Sequence, residues 1–428
     1  MYRKLFAVPA TVALVAGSLS LLPAATATAA STTGPAVHLT LLLNPGDTAE
    51  QFFDTLMSMY QKTHPGSTLT VEHVGQTELD QKLTLLSAAN DLPSMFEGPN
   101  SPAQQGQMGK DGLALDIQTA TTKLGVFNDL KPQAVKILDK LEGGLYAIPN
   151  ELDIEGFWYN KKIFAEYKIQ PPTTWAQMVS DAAALSAKGV TPFAASGQQG
   201  WPLTRLISAY LYRDLGPDAM LNVAEGKAKL TDPEYVKAAQ AVADLGAKGY
   251  FGKGFATMDY STAEQVFLQG KAAMFYMGSW VLADYANPSL DAIGANNIGF
   301  FRIPVVSGGV GLINQTPTLC GDPIMFSAKA YTPAEAPWLK FVAQNMGTVA
   351  LEQGGITGFV SSPSVKSTPL INLVLQQIAQ TGTPILWFEA LFNAKATSVS
   401  QLNAARLIDG SLSPSGFMAT VQAAIANS

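Results

Sequence analysis

The spacing of hydrophobic positions changes along the chain, and each change marks an element. Residues 37–43 (VHLTLLL) make a short, apolar, β-rich run, the pattern of a buried strand. Asn44-Pro45-Gly46 is a turn, and Asp47 with Glu50 three residues later has capping-box spacing. Phe52, Phe53, Leu56, Met59 and Tyr60 then recur at helical spacing. Residues 68–74 alternate as a strand, residues 77–89 return to the helical period with Leu79, Leu83, Leu85 and Leu86, and Asp91-Leu92-Pro93 turns into a short strand at 94–96. This alternation predicts a parallel sheet covered by helices. Ligands gather at the carboxyl ends of the strands in such sheets, which directs attention to residues 44–47 and 97–100.

A second region begins near Gly144. Residues 145–149 and 154–159 read as strands, and Thr174 with Gln177 caps a helix that Trp175 opens. Helical patterns start near Leu203, Pro233 and Ser261, and a strand at 272–276 precedes Gly278-Ser279-Trp280. Strands are predicted again at 298–304 and 319–327. A helix should open around Thr332-Pro333-Ala334-Glu335, and the tail from Lys395 is mostly helical.

Length and composition narrow the classes. A chain of 428 residues suggests two or three domains. With 47% hydrophobic and 14% charged residues it has the wrong balance for intrinsic disorder. A net charge of −6 argues against a general nucleic-acid binder. Cys320 is the lone cysteine, so no internal disulfide or multi-cysteine metal site can form. At the start, Arg3 and Lys4 precede an apolar stretch, Pro23 breaks it, and small residues follow up to Ala30 and Ser31. That order predicts a cleaved signal peptide over residues 1–30, and the cysteine of a lipoprotein anchor is missing from it. The expected location is periplasmic or extracellular.

The chain has no G-x-S-x-G, H-E-x-x-H or phosphate-loop motif, and Gly308-Gly309-Val310-Gly311 reads as a loop. His38, His64 and His73 have no metal-ligand spacing, and neither a metal nor a cofactor is expected. A glycosidase needs two suitably placed acids, for which Glu97, Asp153, Glu155, Asp322 and Glu389 are candidates. Among the tryptophans, Trp175 and Trp338 read as core, and Trp158 as half engaged in packing. Trp201, Trp280 and Trp387 sit at segment junctions, where a flat apolar ring can stack against the C–H face of a sugar. Carboxylates and amides would then bind the hydroxyl edge.

Three blocks resemble a known family: Gly144-Leu-Tyr-Ala-Ile-Pro149, Phe157-Trp-Tyr-Asn-Lys161 with Ile163-Phe164, and Gln170-Pro-Pro-Thr-Thr-Trp175. Phe267-Leu-Gln-Gly-Lys-Ala-Ala-Met274 followed by Gly278-Ser-Trp280 is a further match. The chain is similar, over essentially all of it after the leader, to the extracellular solute-binding proteins of family 1, the sugar-capturing components of ABC importers. Gly189-Val-Thr-Pro-Phe-Ala194 and Trp201-Pro202 look most like the oligosaccharide-binding branch.

The resemblance implies an α/β, two-lobed periplasmic-binding-protein-like fold with hinge crossovers and an interlobe cleft. Residues 31–150 and 303–356 would form the N-terminal lobe, and residues 151–302 and 357–428 the C-terminal lobe. Crossings would lie near 149–155, 302–304 and 355–361. Asp153 falls at a sugar-binding acid of the family, Trp280 and Trp387 at stacking tryptophans, and Gln198 near an aromatic contact. Asn44, Asp47, Glu97 and Asp322 fall in the strand-end turns. The match departs from the family at residues 91–94, where Ser94 replaces an acid. The implied function is capture of a neutral sugar, an oligosaccharide, by a monomer that delivers it to a membrane permease without catalysis; the alternative is a secreted glycosidase.

Overall fold

The computed structural model describes residues 34–426, so the expected leader lies outside the described residues. Among the described residues, eleven strands form two sheets. They are β1 (His38–Leu43), β2 (Thr68–His73), β3 (Met95–Glu97), β4 (Ala147–Ile148), β5 (Asp153–Asn160), β6 (Thr191–Ala194), β7 (Ala272–Gly278), β8 (Ile298–Phe301), β9 (Thr316–Leu319), β10 (Ile324–Phe326) and β11 (Pro384–Ile385). The first sheet runs β2-β1-β3-β10-β4, with β1 parallel to both neighbours and β10 antiparallel. The second runs β11-β9-β5-β7-β6, with β8 also paired to β5.

The apolar runs behave as their patterns require. Leu41, Leu42 and Leu43 are all buried because helices cover both faces of the first sheet. One large core joins β1 and the helices Thr48–Tyr60 and Ala336–Glu352 to one face of the second sheet, through Trp158, Phe275 and Tyr285. A second core, between the other face and the C-terminal helices, contains Phe157, Tyr276, Phe388 and Phe417. Trp175 and Trp338 are core residues. Trp158 is buried throughout rather than half engaged, and its ring N–H donates to the Met277 carbonyl at 3.1 Å.

The chain changes sheet between Ile148 and Asp153, and again between Leu319 and Ile324. The run 319–327, which reads as one strand, is therefore two strand ends in different sheets, separated by Gly321-Asp322-Pro323. Residues 303–319, expected in the first lobe, stay with the second sheet. Arg213 holds them there: fully buried, it donates to the carbonyls of Ile303 (2.8 Å), Gln315 (2.6 Å) and Ile313 (3.2 Å). The glycine-rich loop packs on the same helix end, where a side chain at Gly311 would collide with the Tyr212 carbonyl. A third connection leaves the first sheet near Ile356, whose carbonyl accepts from Leu152 at 2.9 Å, and leads to the helix Pro369–Ala379 packed on β5 and β8. Among the described residues, no helix is long and apolar enough to cross a membrane.

Candidate functional site

The carboxyl ends of β1 and β3 bring Asn44 and Glu97 together. The Asn44 backbone N–H and side-chain amide donate to the two Glu97 oxygens at 2.8 and 2.5 Å, while the Asn44 Oδ1 is buried without a donor. Asp47 caps the following helix by accepting from the Ala49 N–H at 2.7 Å. Thr48, the first helical residue, donates to Glu151 Oε1 at 2.9 Å and so ties the turn to the first crossover. Asp322 belongs to the second crossover. Gly321 beside it has φ +64°, and a Cβ there would run into the Glu151 carboxylate, so glycine is required twice over.

The second sheet supplies the opposite wall. Asp153 opens β5, 2% exposed, and its Oδ1 accepts from Ser279 Oγ at 2.7 Å; Ser279 in turn accepts from the Ile154 N–H. Two residues on, buried Glu155 forms an ion pair with Arg205 and accepts from the Tyr276 hydroxyl at 3.0 Å. Arg205 lies one turn after Trp201 on the helix Trp201–Leu215. Its guanidinium stacks 5.4 Å from the Trp201 ring centre and 5.0 Å from that of Trp387. Trp201 also meets Trp280 edge to face at 5.9 Å and Tyr260 at 5.8 Å. All three tryptophans are half-buried, and Trp280 lines the recess between the walls.

The two walls differ in charge. Burial raises Asp47, Glu97 and Glu151 well above the carboxylate range, and repulsion adds to it: from Glu151 on Asp47, from Asp322 on Glu97, from Asp153 on Glu151. Burial pushes Asp153 up to about 7, against the Ser279 hydrogen bond. Asp322 has its side in solvent, yet the protein crowding it on the remaining sides raises its pKa, opposed by Arg205. A recess with about 260 Å³ of empty space lies where the walls meet, lined by Thr48, Phe52, Glu151, Asp153, Ser279 and Trp280 among others. A larger one of about 480 Å³, lined by Leu141, Met220, Leu221, Leu386 and Leu391 among others, has neither these carboxylates nor the tryptophans.

Of the residues expected from the sequence, Asn44, Asp47, Glu97, Asp153 and Asp322 share one electrostatic neighbourhood, and Trp201, Trp280 and Trp387 form one aromatic group around Arg205. Gln198 is exposed, and its neighbour Gln199 turns inward to accept from Ser196 Oγ at 2.7 Å and the Tyr260 N–H at 3.0 Å. Sequence reasoning missed Glu151 and Arg205 as site residues. Arg205 carried a signal, the i,i+4 spacing from Trp201. Glu151 precedes Asp153 by two but sits in the crossover, so no strand periodicity marks its direction.

Residues 42–348 match the model of the bacterial extracellular solute-binding protein family. The chain belongs to that family. A relative described as an uncharacterized ABC transporter extracellular-binding protein, from Pyrococcus horikoshii, is 24% identical over 60% of this chain and 59% of its own length. The multiple sugar-binding protein of Streptococcus mutans serotype c is 27% identical over 40% of this chain and 41% of its own. The matched part is thus under two thirds of either relative. A solved structure of a chitin oligosaccharide binding protein superposes with a TM-score of 0.80 at 26% identity, covering 92% of this chain and 98% of that one. The family and the superposition agree with the two-sheet α/β architecture, that of the two-lobed binding proteins.

Proposed function

We propose that this protein captures a sugar, an oligosaccharide, in the cleft between its two sheets and delivers it to the permease of an ABC importer. The observation that carries the reading is the recess where Glu151 and Asp153 meet the Trp280 ring, beside the carboxylates of the first-sheet turns and the half-buried Trp201 and Trp387. Charge-assisted hydrogen bonds contribute roughly 1.5–3 kcal/mol each. A few of them with one or two stacked rings reach the ~8 kcal/mol of micromolar affinity. The connections at 149–152, 320–323 and 355–361 are the hinge of this reading, ligand closing the lobes for docking. Residues 1–30 act as the export signal, and the protein works outside the cytoplasm as a monomer that is not a lipoprotein.

The protein is not a glycosidase in this reading. A thermal-shift screen of mono-, di- and trisaccharides tests capture, because a ligand bound by the native state alone raises the melting point. A raised melting point with no product released on incubation supports the reading. Turnover with product release overturns it.

A further inference from the structure

The recess is out of electrostatic balance. Asp47, Glu97, Glu151, Asp153 and Asp322 act on one another, and Arg205, a cation that reaches Asp322, is already committed to Glu155 and also faces Glu389. Asp153 is nearly inaccessible, and its second oxygen, Oδ2, is buried with no donor. Its carboxyl lies within hydrogen-bonding reach of that of Glu151. Two carboxylates can hold such a contact only through a shared proton or a cation. Among the described residues no group of three or more His, Cys, Asp or Glu is arranged to hold a metal ion, which leaves a proton or an organic cation. Thr48 and Ser279 add hydroxyls to the same recess, and the Trp280 ring forms one side of it.

An ammonium group answers each of these features. It carries three donors, enough for Asp153 Oδ2, a Glu151 oxygen and one hydroxyl. Its charge offsets the carboxylate surplus, and a tryptophan face attracts it. We propose that the sugar captured here carries a protonated amine, an amino sugar whose ammonium donates to Asp153 Oδ2 and Glu151 beside Trp280. The inference rests on the sugar-capture reading and changes one of its terms: the neutral ligand that the family resemblance implies becomes one with a single cationic substituent. A neutral sugar would have to leave a proton between the two carboxyls.

The test is isothermal titration of the purified protein, at neutral pH, with glucosamine, galactosamine and the β-1,4-linked di- and trisaccharides of glucosamine. Each is compared with its N-acetyl and hydroxyl counterparts, which share ring and linkage. The expected result is that an amine form binds at least about tenfold tighter than both counterparts. Asp153→Asn and, separately, Glu151→Gln should remove most of that preference; Glu151 is half-exposed, so its variant keeps the test valid if Asp153→Asn fails to fold. Equal or tighter binding of the N-acetyl or hydroxyl form overturns the inference and leaves sugar capture standing, as does binding of neutral oligosaccharides when no amine form binds. Absence of binding by every carbohydrate in this panel and in the neutral screen overturns both.

Discussion

The two walls of the cleft are built on opposite principles. On the second-sheet side the charges are paired: Arg205 pairs with Glu155, Tyr276 completes that carboxylate, and Trp201 and Trp387 flank the guanidinium, of which the buried Nε alone is left without an acceptor. On the first-sheet and crossover side, and at Asp153 where β5 meets it, the carboxylates repel one another, and the buried Asn44 Oδ1 and Asp153 Oδ2 have no donor. The aromatic wall thus has its charges paired within the protein. The acidic wall is completed only by what binds to it. Stability should therefore depend on the first and ligand discrimination on the second.

Breaking the paired wall should have the largest effect. Arg205→Ala leaves Glu155 buried with one partner, and loss of half a buried ion pair costs about 3–5 kcal/mol. We expect a fall of that order in urea-unfolding stability, together with weaker sugar binding as Trp201 and Trp387 lose their spacer. Next is Trp280→Ala, which removes the ring that lines the recess without touching an ion pair. Binding should weaken at least about tenfold, read by calorimetry, with the melting point of the free protein little changed.

The acidic wall shows itself through pH. Burial raises Asp153 to about 7, so the native state holds this proton more tightly than the unfolded chain does. The associated stability is complete below the unfolded value near ~4 and is lost as pH rises through about 7. The melting point of the free protein should fall over that window, and Asp153→Asn should make the fall shallower. Glu142 and Glu264, which burial raises to about 8 and about 9, keep part of the slope in the variant. The smallest effect belongs to Gln198→Ala. Its side chain is exposed at the edge of the aromatic wall, and affinity should change less than about threefold.

Much of this division is legible in the amino-acid sequence. The period changes located β1, β3, β5 and β7, and with them Asn44, Glu97, Asp153 and Trp280 at strand ends. Tryptophans at segment junctions were separable from Trp175 and Trp338 in helices. What the sequence could not carry were long-range choices made by single buried groups. Arg213 fixes 303–319 to the second sheet through carbonyls about a hundred residues away, and nothing in the local pattern of those residues encodes that attachment. Glu151 became a site residue because Gly321 leaves room for its carboxylate, a relation between two crossovers far apart in sequence.

The most direct test of the cleft is a calorimetric titration of carbohydrate into wild-type protein and Trp280→Ala at matched folded fraction. Saturable binding in the wild type that weakens at least about tenfold in the variant is the predicted result. Identical isotherms for the two proteins, or no saturable binding of any carbohydrate to the wild type, would contradict it.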